Sequence, residues 1–424
     1  MNLQLQRWID RWVGIPICAA VSGFDALTRR LASPAHLPLH THLHPPATPR
    51  AIVVILLSEM GSLVLAHDMF ARLKQRYPDA QLHALLFGKN REILDLMKVI
   101  EPHHVHTVDD SSLSGLLSSL WAAVGNLRRA RIDVAIDCEL FSRISSLLSF
   151  ASGASIRVGF HRHTQEGLYR GSHINRPVPY NPYHHISAQF LALARAIDST
   201  AVPKSKLPVM HVSKPPPHVQ LEAGLITHIE KRLAHDFPAI AGKPLVLVYP
   251  GGGILPIRAW PLEAYTTLCE GLVADGCAVA VIGLKDDQAL ARQLVANVNR
   301  AFPTATASAV IDLTGYTRSI SELLALFHMA RLLVTNDGGP GQFAALTPIW
   351  TLMLFGPETP SLYAPLTPKC HSFYSHWPCS PCLTAYNHRS SYCDGDNQCL
   401  KVIEPAVVLA KARECVAQSL AEAA

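Results

Sequence analysis

The sequence has no basic run interleaved with aromatic residues and no recognition-helix signature, so a nucleic-acid partner is not expected. Its formal net charge, +5 over 424 residues, is small for that length. It also lacks an apolar run of the roughly 20 residues that a membrane-spanning helix needs. The amino-terminal candidate, Trp12 to Leu27, is 16 residues long and contains Pro16 and Asp25. A signal peptide is not expected either, because the start is weakly cationic and no small-residue cleavage site follows. The ten cysteines do not space out like those of a small disulfide-stapled secreted domain, and five of them fall between Cys370 and Cys399. What is present is 49% hydrophobic content, enough for large cores and two or three domains. The mild excess of Lys and Arg suits anionic small molecules or an anionic lipid surface.

The chain is organised around Arg331 to Pro360, RLLVTNDGGPGQFAALTPIWTLMLFGPETP. The apolar run Leu332-Leu333-Val334 stops at Asn336-Asp337-Gly338-Gly339-Pro340-Gly341, and a second run, Thr351 to Phe355, stops at Gly356-Pro357. This is a strand, a glycine-rich turn, a short helix and a strand, the βαβ unit of a parallel sheet. In such sheets the turn at a strand's carboxyl end opens toward ligand, and bare amides at the next helix start attract a diphosphate. Asp337 is then expected to face the ligand. A plain turn without ligand has the same glycines.

Strand and helix patterns alternate on both sides of this unit. Ala51 to Leu57 is an all-apolar run followed by the turn Ser58-Glu59-Met60-Gly61-Ser62 and a helix over Leu63 to Arg76. Strands are expected over Gln81–Phe87, Asp133–Asp137 and Arg157–Phe160, and the polar loop His161 to Gly171 is a candidate acceptor-facing surface. The pattern then fades into Pro-rich sequence from Ile174 to His218, the mark of a hinge. It resumes with Leu245–Tyr249, the turn Pro250-Gly251-Gly252-Gly253, a helix over Leu262–Ala274, a strand over Ala278–Ile282, and helices over Asp287–Val298 and Ile320–Ala330. A last helix, Pro405 to Leu420, is expected to cross back to the first domain.

These pieces resemble glycosyltransferase family 9, the bacterial heptosyltransferases of lipopolysaccharide core synthesis. The residues that carry the resemblance are Ser58-Glu59-Met60-Gly61; IDVAIDCELFSR around Asp137; SIRVGFHR; YPGGG with Arg258-Ala259-Trp260-Pro261; DLTGYTRSISELLALFHMARLLVTNDGGPGQFAAL; and LFGPETP. The order and spacing of these weak motifs over roughly residues 51 to 405 are more specific than any one of them. The resemblance implies the α/β GT-B fold, two doubly wound Rossmann-like domains facing a central cleft. The amphipathic helical pattern over 1–32 and the linker over 33–50 lie outside the resemblance; within and beyond it the expected parts are an acceptor-side domain over 51–205, a hinge region over 206–242, a donor-binding domain with a Cys-rich loop over 243–402 and a final helix over 403–424. The resemblance further implies an inverting, metal-independent transfer from a nucleotide-diphosphate sugar, ADP-heptose, to a glycolipid acceptor.

Carried over residue by residue, the family's donor site falls on Asn336, Asp337, Gly338 and Gly339, with Asp337 bonding sugar hydroxyls. Arg258 would neutralise the diphosphate, for which a guanidinium's fork is suited. Gly251 and Gly252 would bring backbone amides near the donor, and Thr314 and Gly315 match the loop beside the leaving group. No D-x-D pair accompanies the donor turn, in keeping with a reaction that needs no cofactor.

Two positions depart from the family. The first-domain turn ends Gly61-Ser62 where many members have Gly-Asp, that aspartate being the proposed base, and the family's histidine after the proline is Gln342. Serine cannot act as base unaided, and the Gln342 amide can offer donors to the donor's phosphate but carries no charge at any pH. Glu59, Asp68 and Glu139 are the nearest carboxylates. Glu59 is preferred, because its turn points into the cleft whereas Asp68 would reach back about 9 Å along the helix axis. With both family groups lost, a nucleotide-sugar-binding protein without transfer activity is the alternative, and an epimerase of the same fold is another.

Cys379, Cys382, Cys393 and Cys399 have the ligand count of a structural zinc site, although the second pair is wider than usual, and disulfides or free thiols are the alternatives. His40, His42 and His44 are read as solvated linker residues. Trp8, Trp12, Ile15 and Ala19 recur at helical spacing, with Arg7, Arg11 and Arg29-Arg30 about them. That pattern suits a helix lying in the headgroup region, hence a cytoplasmic protein peripheral on the inner membrane, or a helix packed on the protein's own surface.

Overall fold

The apolar runs fold into two parallel sheets, one in each of two units. The computed structural model describes residues 3–32, 48–57, 59–140, 142–161, 169–199, 214–302, 310–385, 391 and 393–423. Most of the linker with His40, His42 and His44, Ser58, most of the loop after His161 and the stretch 200–213 lie outside the described residues. The first unit is Met1–Ser213 with Ala385–Arg389, and the second is Lys214–Thr384 with Ser390–Ala424.

In the first unit, β1 (Ala51–Ile55), β2 (Gln81–Phe87), β3 (Val105–Val108), β4 (Val134–Asp137), β5 (Ile156–His161) and β6 (Arg176–Pro179) lie in the order β3-β2-β1-β4-β5-β6. In the second, β7 (Leu245–Tyr249), β8 (Ala278–Gly283), β9 (Val310–Thr314), β10 (Leu332–Asn336), β11 (Trp350–Phe355) and β12 (Cys370–Tyr374) lie in the order β9-β8-β7-β10-β11-β12. The two orders are the same, and both are the doubly wound arrangement in which the chain reverses direction across the sheet beside its first strand. Every residue of β1 and β7 is buried, as strands covered by helices on both faces require. β6 holds Pro177 and Pro179, which an edge position tolerates because those residues donate no ladder hydrogen bond.

Four strands, β3, β6, β9 and β12, are not among those expected, and they are the four sheet edges. One expected helix, Leu63–Arg76, is two, Met60–Leu65 and His67–Arg76, because Ala66 between them has ψ near −1°. The apolar stripe survives that break, so periodicity could not show it. The final helix, Pro405–Ala423, does not cross back: Val408, Ala412, Cys415 and Val416 pack into the core of the second unit.

The amino-terminal segment is also two helices, Leu3–Trp12 and Gly14–Ala32. They dock on the first unit through polar groups. Asp10 pairs with buried Arg143 at 2.9 Å and Asp25 with buried Arg157 at 2.9 Å, while Ser22 Oγ accepts from the Ser172 amide. Trp8, Trp12, Phe24, Leu27 and Leu31 stay exposed.

Candidate functional site

The second unit reverses its strand order between β7 and β10, and their carboxyl ends carry Gly251 and Asn336-Asp337. Asn336 ties these ends together. Its Nδ2 donates to the carbonyls of Pro250 and Gly251 at 3.1 and 3.0 Å, and its Oδ1 accepts from the Trp260 amide and the Tyr265 hydroxyl at 3.0 and 3.2 Å. Asn336 is fully buried, so its amide shapes the site and is spent on the protein. Gly252 must be glycine: a Cβ there would stand 2.7 Å from the Leu255 carbonyl oxygen and from Pro256 Cα. Close folding of that turn leads directly into Pro256–Arg258, a single 3₁₀ turn. Trp260, buried just beyond it, donates its indole N–H to the Ile403 carbonyl and so anchors the segment that carries Arg258.

Arg258 meets two carboxyl groups. Its Nη2 lies 2.8 Å from Glu358 Oε1 and its Nε 3.5 Å from Asp337 Oδ2, and all three side chains are largely buried. Arg258 Nε and Asp337 Oδ2 are buried atoms on which no aligned hydrogen bond ends. Burial works against the guanidinium's charge, but Asp337 and Glu358 together hold its pKa above the ordinary value. Burial pushes the Glu358 carboxyl up to about 8; Arg258 opposes the rise and Asp337 adds to it. Glu358 was not singled out from the sequence, although it stands in the quoted Gly356-Pro357-Glu358-Thr359. A carboxyl three residues beyond a strand that neighbours β10 was the available signal.

The raised Glu358 pKa gives a pH dependence with a definite sign. Below about 8 the carboxyl holds its proton and the cluster is close to neutral; above it Glu358 ionises and the cluster gains a negative charge. An anionic ligand therefore binds the protonated form better, so KM for an anionic donor should climb above pH 8, approaching tenfold per pH unit. Glu358→Gln should flatten that limb. A KM profile that is level from pH 7 to 9.5 in the parent would remove Glu358 from the site.

The other donor-side residues lie on the same edge of the second unit. Thr314 closes β9 with its amide and hydroxyl donating to Asp312 Oδ1 at 2.9 and 2.6 Å, and Gly315 follows at φ +67°, its amide donating to the Gly283 carbonyl. Gly338 caps the helix Gly339–Ala344, which is only six residues long and has Pro340 without an N–H in its first turn. Its dipole is correspondingly small, which leaves Arg258 as the principal positive group. Gln342 was expected to offer its amide to phosphate. Instead its Nε2 donates to the Tyr363 carbonyl at 2.6 Å, and its Oε1 is buried without a partner.

Glu59 belongs to the first unit, in the turn after β1, and is half-buried. The Ser62 hydroxyl donates to Glu59 Oε2 at 3.1 Å. Glu139 Oε1 accepts from the Leu57 amide at 2.6 Å, so that carboxylate is engaged in closing the end of β1. Asp68 sits in the first turn of the helix His67–Arg76.

In the cysteine segment Cys379 and Cys393 are exposed, Cys382 is half-buried and Cys399 is buried, and none is in a disulfide. Burial first, then the charges of Cys382, Cys379 and Cys393, push the Cys399 thiol up to about 11. Among the described residues no three His, Cys, Asp or Glu side chains stand where they could hold a metal ion. The four thiols as arranged therefore do not form the zinc site that their count suggested.

Residues 120–392 match the family described as glycosyltransferase family 9 (heptosyltransferase). The chain is 27% identical over 319 residues to lipooligosaccharide heptosyltransferase 2 of Haemophilus ducreyi, covering 74% of this chain and 86% of that protein. Among solved structures it superposes on the ADP-heptose lps heptosyltransferase II of E. coli with a TM-score of 0.64 at 21% identity, covering 87% of this chain and 99% of the other. A family 9 glycosyl transferase from Veillonella parvula gives 0.65 at 16% identity, with 89% and 99% covered. Two Rossmann-like units with the same strand order make this a GT-B fold, and with the family match over most of the length the chain belongs to glycosyltransferase family 9 and is a glycosyltransferase.

Proposed function

We propose that this enzyme transfers a heptose from ADP-heptose to a glycolipid of the lipopolysaccharide core, with inversion and without a metal at the donor. The observation that carries the reading is Arg258, a buried cation held by Asp337 and Glu358 beside the ends of β7, β10 and β11. A diphosphate there would give Arg258 Nε the aligned hydrogen bond that its 3.5 Å approach to Asp337 Oδ2 does not supply. The ADP-heptose donor and the lipopolysaccharide or lipooligosaccharide acceptor come from what the relatives are named for.

The chemistry then divides among the residues. The acceptor hydroxyl attacks the anomeric carbon from the side opposite the diphosphate, and the electron pair of the breaking C–O bond leaves on the phosphate oxygen. Arg258 and the amides near Gly251, Gly252, Gly338 and Gly339 receive that charge in fixed positions. Glu59 takes the hydroxyl proton, Asp337 holds sugar hydroxyls, and Thr314 and Gly315 lie beside the leaving group. ADP release from ADP-heptose with a heptose-deficient core lipopolysaccharide is the test. Turnover should persist in EDTA; donor binding without ADP release on any core acceptor would contradict transfer and favour a binding protein.

The same reading places the enzyme on the cytoplasmic face of the inner membrane. No helix among the described residues is long and apolar enough to cross a membrane. The amino-terminal helices instead spend Asp10, Ser22 and Asp25 on their own unit and leave Trp8, Trp12, Phe24 and Leu27 outside, with Arg11 and Arg30 exposed beside them. Apolar side chains at headgroup depth and basic residues worth about 1 kcal/mol each on anionic lipid give reversible attachment. The full chain should float with anionic liposomes at low salt, and Trp8→Glu with Trp12→Glu should stay in the pellet fraction. Equal partitioning of both proteins would rule the helices out as the anchor.

A further inference from the structure

A cavity-forming cluster of histidines lies in the first unit, outside the residues assigned to transfer. A cavity of about 580 Å³ opens beside the amino-terminal parts of β2 and β3, between those strands and the helix Leu113–Arg129. The strands are parallel and Gln81 pairs with Ala51, so this is the opposite end of the sheet from the Glu59 turn. Four imidazoles, those of His83, His103, His104 and His106, line it together with Asn126 and Arg129 from the helix, and no carboxylate is among the lining residues described. The rings touch: His83 Nδ1 is 3.1 Å from His106 Nε2, the His83 and His104 ring centres are 4.2 Å apart, and those of His103 and His104 are 4.1 Å apart. His83 is 3% exposed, and its Nε2 is buried without a hydrogen-bond partner.

We propose that this pocket binds a small phosphate ester of the size and polarity of a sugar phosphate, the imidazoles and Arg129 gripping the anion and Asn126 with its polar neighbours bonding hydroxyls. The volume is that of a small-molecule site, in which a few convergent polar groups fix orientation. The sign of the ligand follows from the lining. A guanidinium and N–H donors with no acid among the lining residues favour an anion, and no three ligating side chains among the described residues are placed for a metal.

Protonation couples to binding. Burial, and then the neighbouring imidazoles, hold His83 down to about 4, and burial lowers His104 and His106 as well. The charged groups facing the cluster are Arg129 from the helix and Glu101 ahead of the short turn Pro102–His104, whose carboxylate partly offsets the fall at His104. At pH 7 the three rings are therefore neutral. An entering anion reverses the balance of charges and raises their pKa values, so binding takes up protons and tightens as pH falls.

The test is isothermal titration of the full chain with sodium sulfate, which does not titrate near neutrality, and with glucose 6-phosphate, at constant ionic strength and in buffers of different ionisation heat. Affinity for sulfate should weaken by about tenfold per pH unit from 6 to 7, with uptake of about one proton. His83 is packed in the unit and its variants risk misfolding, so His104→Asn and Arg129→Gln are the probes. Each should weaken both ligands at least tenfold while ADP binding at the donor site is retained. Competition by phosphatidic acid vesicles assigns a lipid-borne phosphate as the ligand, and its absence assigns a free sugar phosphate. No binding of either probe, binding without proton uptake, or binding unchanged in both variants would overturn the proposal.

Discussion

Glu59→Gln should lower kcat by roughly 10² to 10⁴ while the donor binds as in the parent, since a positioned general base contributes about that much. The amide has the carboxylate's shape and can still accept the Ser62 hydroxyl that donates to Glu59 Oε2 at 3.1 Å. What it cannot do is take a proton. The hydrogen bond from Ser62 accounts for the departure at that position: the serine standing where many members have aspartate orients a carboxylate three residues earlier in the same turn. The check is kcat from ADP release at saturating substrates beside a donor Kd from titration. Undiminished kcat would dismiss Glu59 and leave Asp68 and Glu139, the latter already bonded to the Leu57 amide.

Arg258→Met should be nearly as damaging, for a different reason. It removes the cation from between Asp337 and Glu358 and leaves an arriving diphosphate facing two carboxyl groups. Truncating one member of a buried charged pair costs about 2 to 5 kcal/mol, roughly thirtyfold to several thousandfold. Because negative charge on the diphosphate grows as the sugar bond breaks, the loss should appear in kcat as well as in KM. Arg258→Lys should recover part of it: the charge returns, but the fork that reaches Asp337 and Glu358 at once does not. A methionine variant that binds and turns over donor like the parent would show that the diphosphate lies elsewhere.

The sequence made the centre of each sheet readable and hid its edges. β1, β7, β10 and β11 are covered on both faces, so each carries a run of three or more consecutive apolar residues that announces it. β3, β6, β9 and β12 each have one neighbour and partly exposed residues, which breaks the run; β6 even contains two prolines. The site divides in a similar way. Gly251, Gly252, Arg258 and Asp337 follow strands or turns that are local in sequence, and local patterns locate them. Glu358 reaches Arg258 only because β11 lies next to β10, a hundred residues along the chain from the arginine it meets. Asn336 could be read as a turn residue, but its bonds to Pro250, Gly251 and Trp260 exist only once the switch between β7 and β10 is formed. At the amino terminus the apolar stripe was legible and its orientation was not, because Asp10 and Asp25 find their arginines more than 130 positions away.

A crystal structure of the full chain with ADP would show whether the donor's diphosphate sits against Arg258 at the strand switch of the second unit. Phosphate oxygens should lie within hydrogen-bonding distance of the Arg258 guanidinium and of the backbone amides in the Gly251–Gly252 turn, with the Asp337 carboxylate on the side where the sugar would attach. An ordered ADP whose phosphates touch neither Arg258 nor that turn would contradict that placement.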